Sequence, residues 1–142
     1  MPNSSVCVDA SFLVRLVTSH HDARPKSMLE AWIDQRRQLA APTLLYYEVS
    51  NALHLYSRVG QLDQEGVLKA LAVVLALPVQ LHGGPELHRS ALIYASRHGL
   101  KATYDAHYLA LAESLQADLW TADRRLAKAV QKDLPWVHCL DD

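Results

Sequence analysis

Four acidic residues fall in segments that otherwise read as buried. Asp9 follows Val6-Cys7-Val8 and precedes Ala10-Ser11-Phe12-Leu13-Val14. Glu48 shares a helical stripe with Leu44, Leu45, Asn51 and Ala52. Asp105 begins the run Asp105-Ala106-His107-Tyr108-Leu109-Ala110-Leu111-Ala112, and Asp123 follows Leu119-Trp120-Thr121. An unpaired carboxylate in an apolar setting costs several kcal/mol, so such groups persist when they are paired or hold a cation. No matching set of buried Lys or Arg accompanies them. Carboxylate oxygens suit hard divalent cations such as Mg²⁺, and two such ions can stabilise the attacking and leaving oxygens of a phosphodiester displacement.

Each acid also has a local reading. Asp9 and Asp123 sit where a strand gives way to a helix, a place for a capping or turn Asp. Asp105 in a first helical turn complements the helix dipole. Glu48 lies inside a helix with no basic residue within one turn, so a local explanation is hardest to find there. Ser11 caps a helix or reaches the metal site, and Thr121 carries a hydroxyl near Asp123. The eight histidines show no metal-ligand spacing with Cys and no His-Glu-x-x-His pattern. Of these, His107 reads as a helix-packing residue, with a substrate phosphate as its alternative partner. Cys7 and Cys139 give neither a zinc spacing nor a disulfide framework.

The elements that must position these residues alternate between strand and helix. Residues 6–8 read as a buried strand, 11–17 as a helix, and 25–37 as a second helix with Pro25 in its first turn. Residues 39–41 form a weak strand candidate. Pro42 and Thr43 start a long helix that Gly60 stops. Asp63 caps a helix ending before Pro78, and 79–81 is a third strand. Helices follow over 86–98 and 103–115. A strand over 118–121 leads to a helix that Asp123 caps and that runs to Lys132, and 136–138 is a last strand. This alternation implies one α/β domain over residues 1–142, with a parallel sheet and right-handed crossovers. In such sheets, sites collect beyond the carboxyl ends of the strands, where Asp9 and Asp123 both lie.

The chain has 142 residues, 14 Lys and Arg, 15 Asp and Glu, and a formal charge of −1, so it is no polybasic nucleic-acid binder on bulk charge. With the four acids neutralised by metal, 11 acids remain against 14 bases, a balance of +3 that leaves room for a polyanionic substrate. The N-terminus lacks the basic and apolar regions of a signal peptide, and the longest apolar run, 70–77, is far short of a membrane span. The expectation is a cytoplasmic protein without membrane association.

Four motifs taken together resemble those of PIN-domain ribonucleases, and most closely the VapC-type toxins of toxin–antitoxin pairs. They are Val8-Asp9-Ala10-Ser11, Tyr47-Glu48-Val49-Ser50-Asn51-Ala52-Leu53, Tyr104-Asp105-Ala106-His107-Tyr108-Leu109-Ala110-Leu111-Ala112-Glu113 and Thr121-Ala122-Asp123-Arg124-Arg125-Leu126. The resemblance covers essentially the whole chain in the family's order and spacing. It implies a PIN-like fold, a parallel five-stranded sheet ordered 3-2-1-4-5 and flanked by helices. It also implies cleavage of RNA dependent on Mg²⁺ or Mn²⁺. Asp9, Glu48, Asp105 and Asp123 match the family's catalytic, metal-binding quartet, and Ser11 and Thr121 its supporting hydroxyls. Arg125 stands where some relatives carry a further acid, so a metal ligand from that position is absent.

On this reading, hydrolysis leaves a 5′-phosphate and a 3′-hydroxyl. Candidate contacts to the substrate phosphates are Arg15, Lys101, Arg124 and Arg125. The family also implies a homodimer and an antitoxin protein whose tail lies in a groove between helices and covers the acidic site, with Met28, Trp32, Tyr46, Tyr56 and Leu62 as candidate groove residues and core packing as their alternative. Two other functional classes remain: a non-catalytic PIN-type module that binds RNA or protein, and another Mg²⁺-dependent phosphate-ester hydrolase. Phosphatases of the haloacid dehalogenase type need an acid two residues after the first Asp, and that position here is Ser11.

Overall fold

A computed structural model describes residues 4–141. Its centre is β1 (Ser5–Val8), in which every residue is buried. Val6, Cys7 and Val8 present apolar side chains to both faces, as a strand covered by helices on both sides requires. β1 pairs in parallel with β2 (Gln38–Pro42) on one side and with β4 (Asp118–Thr121) on the other. β2 pairs in parallel with β3 (Val79–His82), and β4 with β5 (Val137–Cys139). The resulting sheet is five-stranded, parallel and ordered β3-β2-β1-β4-β5, as expected.

The chain builds outward from β1 to β3 and then returns to the other side of β1 for β4 and β5. The switch in strand order therefore falls between β1 and β4, and a crevice opens at their carboxyl ends. Among the described residues, seven helices surround the sheet: α1 (Ala10–Thr18), α2 (Arg24–Asp34), α3 (Leu45–Arg58), α4 (Gln64–Leu75), α5 (Pro85–Arg97), α6 (Tyr104–Leu115) and α7 (Arg124–Val130). α6 is the most deeply embedded of them. Ala106, Tyr108, Leu109, Ala110, Leu111 and Ala112 are all buried, which matches its nearly all-round apolar sequence. Among the described residues, no helix is long and apolar enough to cross a membrane.

Several local expectations are corrected. The cap of α1 is Asp9, not Ser11: the Asp9 carboxylate accepts from the Phe12 amide at 3.0 Å. Pro42 does not start a helix. It is the last residue of β2, paired with His82, beyond the reach of β1's pairing with residues 38–40. A proline there forfeits no ladder bond toward β1, and the helix begins only at Leu45. α2 ends at Asp34 instead of Arg37, because Arg36 turns into the left-handed region at φ 58°. α7 stops at Val130, two residues early, and β5 is shifted by one residue from the expected 136–138. Gly60, at φ 80°, supplies the conformation that terminates α3 as expected.

Candidate active site

Asp9 leaves the end of β1 at the switch point and is only 4 % exposed. Its Oδ1 accepts from the Ser11 hydroxyl at 2.6 Å and from the Phe12 amide at 3.0 Å. Its Oδ2 accepts from the Thr121 hydroxyl, at the end of β4. The hydroxyl hydrogens are fixed by what the same oxygens accept. Ala122 N–H donates to Ser11 Oγ at 2.9 Å and Asp123 N–H donates to Thr121 Oγ1 at 3.0 Å. Each hydroxyl thus takes a backbone hydrogen and turns its own toward Asp9. The two hydroxyl oxygens stand 3.1 Å apart. Ser11 and Thr121 thus join the ends of β1 and β4 through Asp9.

Burial pushes the Asp9 carboxyl up to about 6, against the opposing effect of its three donors, and the nearby Asp105 charge adds to the rise. Glu48, in the first turn of α3, is also raised by burial. A 2.7 Å hydrogen bond donated by the Tyr108 hydroxyl of α6 works against that rise, and Asp105 adds to it. Asp105, in the first turn of α6, is raised by burial and then by Asp123. Asp123 caps α7, accepting through Oδ1 from the amides of Arg125 at 2.9 Å and Leu126 at 3.3 Å.

Asp105 is the hub of this arrangement, since its charge is felt at both Asp9 and Glu48 and it feels that of Asp123. It is half-buried, with neither hydrogen bond nor ion pair among the described residues. None of the four acids forms an ion pair among those residues either: every salt bridge lies elsewhere. As they stand, no three His, Cys, Asp or Glu side chains of the described residues are grouped closely enough to hold a metal ion. Asp105 is nonetheless near enough for its charge to act on Asp9 and Glu48, and for that of Asp123 to act on it. An all-oxygen set of carboxylates and hydroxyls, short of positive charge, has the donor chemistry of a hard divalent cation site.

Tyr108 joins the site from a position that local sequence marks only indirectly: it lies one helical turn after Asp105 in a mostly apolar run, and a buried tyrosine needs a partner for its hydroxyl. Its side chain is 1 % exposed, and burial together with the Glu48 charge pushes its own ionisation far up, so it serves as a hydrogen-bond donor only.

The expected substrate cations divide. Lys101 and Arg125 are exposed. Arg15 and Arg124 are not free: both are paired with Asp141, at 2.9 Å and 3.7 Å. His107 packs helices. Its Nδ1 donates to the Thr103 carbonyl at 2.6 Å, leaving Nε2 to accept from His88 Nδ1 of α5 at 2.9 Å when both rings are neutral. Burial raises the Cys7 thiol to about 12, so it is no nucleophile.

Two cavities bear on function. One of about 400 Å³ is lined by Ser11, Arg15, Glu48, Tyr56 and Ala122, at the edge of the acids. A larger one, about 590 Å³, lies away from all four acids, between α1, α2 and α4, and its wall is mostly apolar. Of the expected groove residues, Leu62 lines the larger cavity and Tyr56 the smaller. Trp32 is core, packed between Phe12 and Trp120 with ring centroids at 5.8 Å and 6.3 Å.

The PIN domain family profile matches residues 6–132. Ribonuclease VapC3 of Pyrobaculum aerophilum is 31 % identical over 123 residues, covering 85 % of this chain and 91 % of that protein. Ribonuclease VapC3 of Mycobacterium tuberculosis is 35 % identical over 130 residues, 90 % of this chain and 89 % of the relative. Among solved structures, PAE2754 from Pyrobaculum aerophilum superposes with a TM-score of 0.67 at 31 % identity, covering 88 % of this chain and 84 % of that one. Mycobacterium tuberculosis VapC20, described as a sarcin–ricin loop cleaving toxin, shares the fold with a TM-score of 0.61 at 20 % identity, over 88 % of this chain and 95 % of its own. With a parallel sheet ordered 3-2-1-4-5, the PIN profile over residues 6–132 and these relatives along most of its length, the chain belongs to the PIN-domain family, in its VapC group.

Proposed function

We propose that this chain is a Mg²⁺- or Mn²⁺-dependent endoribonuclease that hydrolyses RNA phosphodiester bonds, and the toxin of a VapBC-type pair. The observation that carries the reading is Asp105, a half-buried carboxylate with no compensating partner among the described residues, electrostatically coupled to Asp9, Glu48 and Asp123. Such a group is maintained at neutral pH by a cation that all four acids share.

Asp9, Asp105 and Asp123 would hold the cation, and Glu48 would complete the set. The bound divalent ion supplies activation of the attacking water and stabilisation of the charge that builds on the phosphoryl oxygens. The chain's own residues do the positioning. Three donors lock the Asp9 carboxylate at the end of β1, and the Phe12, Arg125 and Leu126 amides fix two of the acids at helix starts. Tyr108 holds Glu48 Oε1, leaving Oε2 to accept a hydrogen bond from the attacking water and orient it in line with the scissile bond. Attack of the water oxygen at phosphorus breaks the bond to the 3′-oxygen; the water sheds a proton to solvent and the departing 3′-oxygen takes one from solvent, giving a 5′-phosphate and a 3′-hydroxyl with no need of a 2′-hydroxyl. Preference for RNA then rests on shape and loop contacts.

The relatives named ribonuclease support the activity, and the apolar cavity supports a protein partner. Leu16, Leu29, Ile33, Leu62 and Val73, with Lys26 and Lys69 among its lining, would receive an apolar antitoxin segment. A single PIN domain spanning the chain, a homodimer and a cytoplasmic location complete the reading. Incubating pure protein with a panel of structured RNAs, with and without EDTA, tests it: metal-dependent fragments with 5′-phosphates are expected. RNA binding without cleavage would favour the non-catalytic module, and hydrolysis of small phosphate esters alone would favour another phosphate-ester hydrolase.

A further inference from the structure

Three arginines from three elements converge on one carboxylate beside the acids. Arg15 of α1 grips Asp141 end-on, Nη1 to Oδ1 at 3.1 Å and Nη2 to Oδ2 at 2.9 Å. Arg24 of α2 donates from Nη2 to Oδ1 at 3.2 Å, and its Nη1 donates to the Leu140 carbonyl. Arg124 of α7 places Nε 3.7 Å from Oδ2. Asp22 is the second counter-charge, taking Arg24 at 2.8 Å and Arg15 at 3.4 Å. Among the described residues, three guanidinium groups thus face two carboxylates, a balance of one positive charge.

Its position connects it to the chemistry. Arg15 lines the 400 Å³ cavity with Ser11 and Glu48, and Arg124 directly follows Asp123. The two-pronged grip on Asp141 is the geometry with which arginine receives a phosphate. The Arg24 and Arg124 side chains are 52 % and 68 % exposed and so open to a ligand, while Arg15, Asp22 and Asp141, at 24 %, 11 % and 18 %, form an inner network that also ties the segment after β5 to α1. As a seat for an anion the cluster is well placed, at the rim of a site whose four carboxylates repel the substrate they must cut.

Resting on the nuclease reading above, we propose that Arg15, Arg24 and Arg124 form a seat for one phosphate of the RNA at the edge of the acidic site, and that Asp141 occupies this seat until RNA displaces it. The segment after β5 then competes with substrate, and removing the Asp141 charge opens the seat.

The test is RNA affinity, measured by fluorescence anisotropy on the full chain carrying Asp9→Asn so that the probe stays intact, with labelled single-stranded RNA bearing either a 5′-hydroxyl or a 5′-phosphate. Adding Asp141→Asn is expected to tighten binding about fivefold at about 0.1 M salt and to steepen the salt dependence by about 0.7, the increments for one more phosphate contact on a single strand. Equal gains with both probes assign the seat to a backbone phosphate, and a gain confined to the 5′-phosphorylated probe assigns it to a terminal one. Glu65→Gln, an equal change in net charge at an exposed site on α4, is expected to give no comparable gain. Arg124→Gln in the parent is expected to weaken binding severalfold with an unchanged melting temperature; this arm decides the matter even if Asp141→Asn loosens the fold. The proposal is overturned if Asp141→Asn binds no tighter, if Glu65→Gln tightens as much, or if Arg124→Gln binds as the parent does. Should any of these occur while the unaltered chain still cuts RNA, the seat alone falls. If the unaltered chain neither cuts nor binds RNA, the nuclease reading falls and the seat with it.

Discussion

Asp9→Asn keeps the size of the side chain and removes its charge at neutral pH. Asn Oδ1 can still accept from the Phe12 amide and the Ser11 hydroxyl, and Nδ2 can donate to Thr121 Oγ1 once that hydroxyl turns away. The folded metal-free protein holds the Asp9 proton up to about pH 6, against a value of 3.8 for an ordinary Asp. The sign follows from linkage. A carboxyl raised in the folded state binds its proton more tightly there, so its contribution to stability is fully present below the unfolded value and is lost as pH rises through the folded one. That loss amounts to roughly 3 kcal/mol by about pH 7.5, on the order of 10 °C in melting temperature for a chain of this size. The variant escapes it. In EDTA, wild type and Asp9→Asn are expected to melt together near pH 4, where Asp9 is protonated and resembles Asn. The variant is expected to be the more stable of the two at about pH 7.5, and to cut no RNA. Melting curves across this range in EDTA check the stability claim. A variant that melts below wild type at neutral pH, or a gap that does not change with pH, would refute the idea that an uncompensated buried charge is held here for function.

Three further outcomes follow. Tyr108→Phe removes the donor that counteracts the rise at Glu48, so the acidic limb of the pH–rate profile should move to higher pH, with kcat reduced while KM changes little; an unshifted profile would exclude the role given to Tyr108. Thr121→Val deletes a fully buried hydroxyl that donates to Asp9 and accepts from Asp123 N–H, which should destabilise the fold by about 1–3 kcal/mol in denaturant titration, with Thr121→Ser recovering most of it. Val73→Lys, at an exposed position of the mostly apolar cavity, should weaken capture of the co-expressed antitoxin at least tenfold, by about 1.4 kcal/mol or more, while RNA cleavage persists; undiminished capture would place the antitoxin elsewhere.

Much of this fold was legible because strand and helix alternate in distinct patterns. Val6-Cys7-Val8 announces a strand buried on both faces, and the apolar run after Asp105 announces a buried helix. The boundaries at Pro42 and Arg36 were not legible. Whether Pro42 ends a strand or begins a helix depends on how far β1 reaches along β2, a tertiary fact. The four acids could be picked out because each breaks an apolar frame. Their partners could not, since they come from distant segments. Tyr108 reaches Glu48 across two helices, Thr121 reaches Asp9 across the switch point, and Asp141 takes the arginines that local sequence presents as free. Spacing along a chain reports periodicity within one element, and these contacts arise between elements.

The central claim is that Asp9, Glu48, Asp105 and Asp123 form one cation site. Mn²⁺ binding followed by electron paramagnetic resonance, on the unaltered chain and on the four variants Asp9→Asn, Glu48→Gln, Asp105→Asn and Asp123→Asn, addresses it most directly. The account predicts that each single neutralisation weakens binding of the same ion, with Asp105→Asn, at the hub, among the most damaging. Binding that is unaffected by Asp105→Asn, or absent from the unaltered chain, would contradict it.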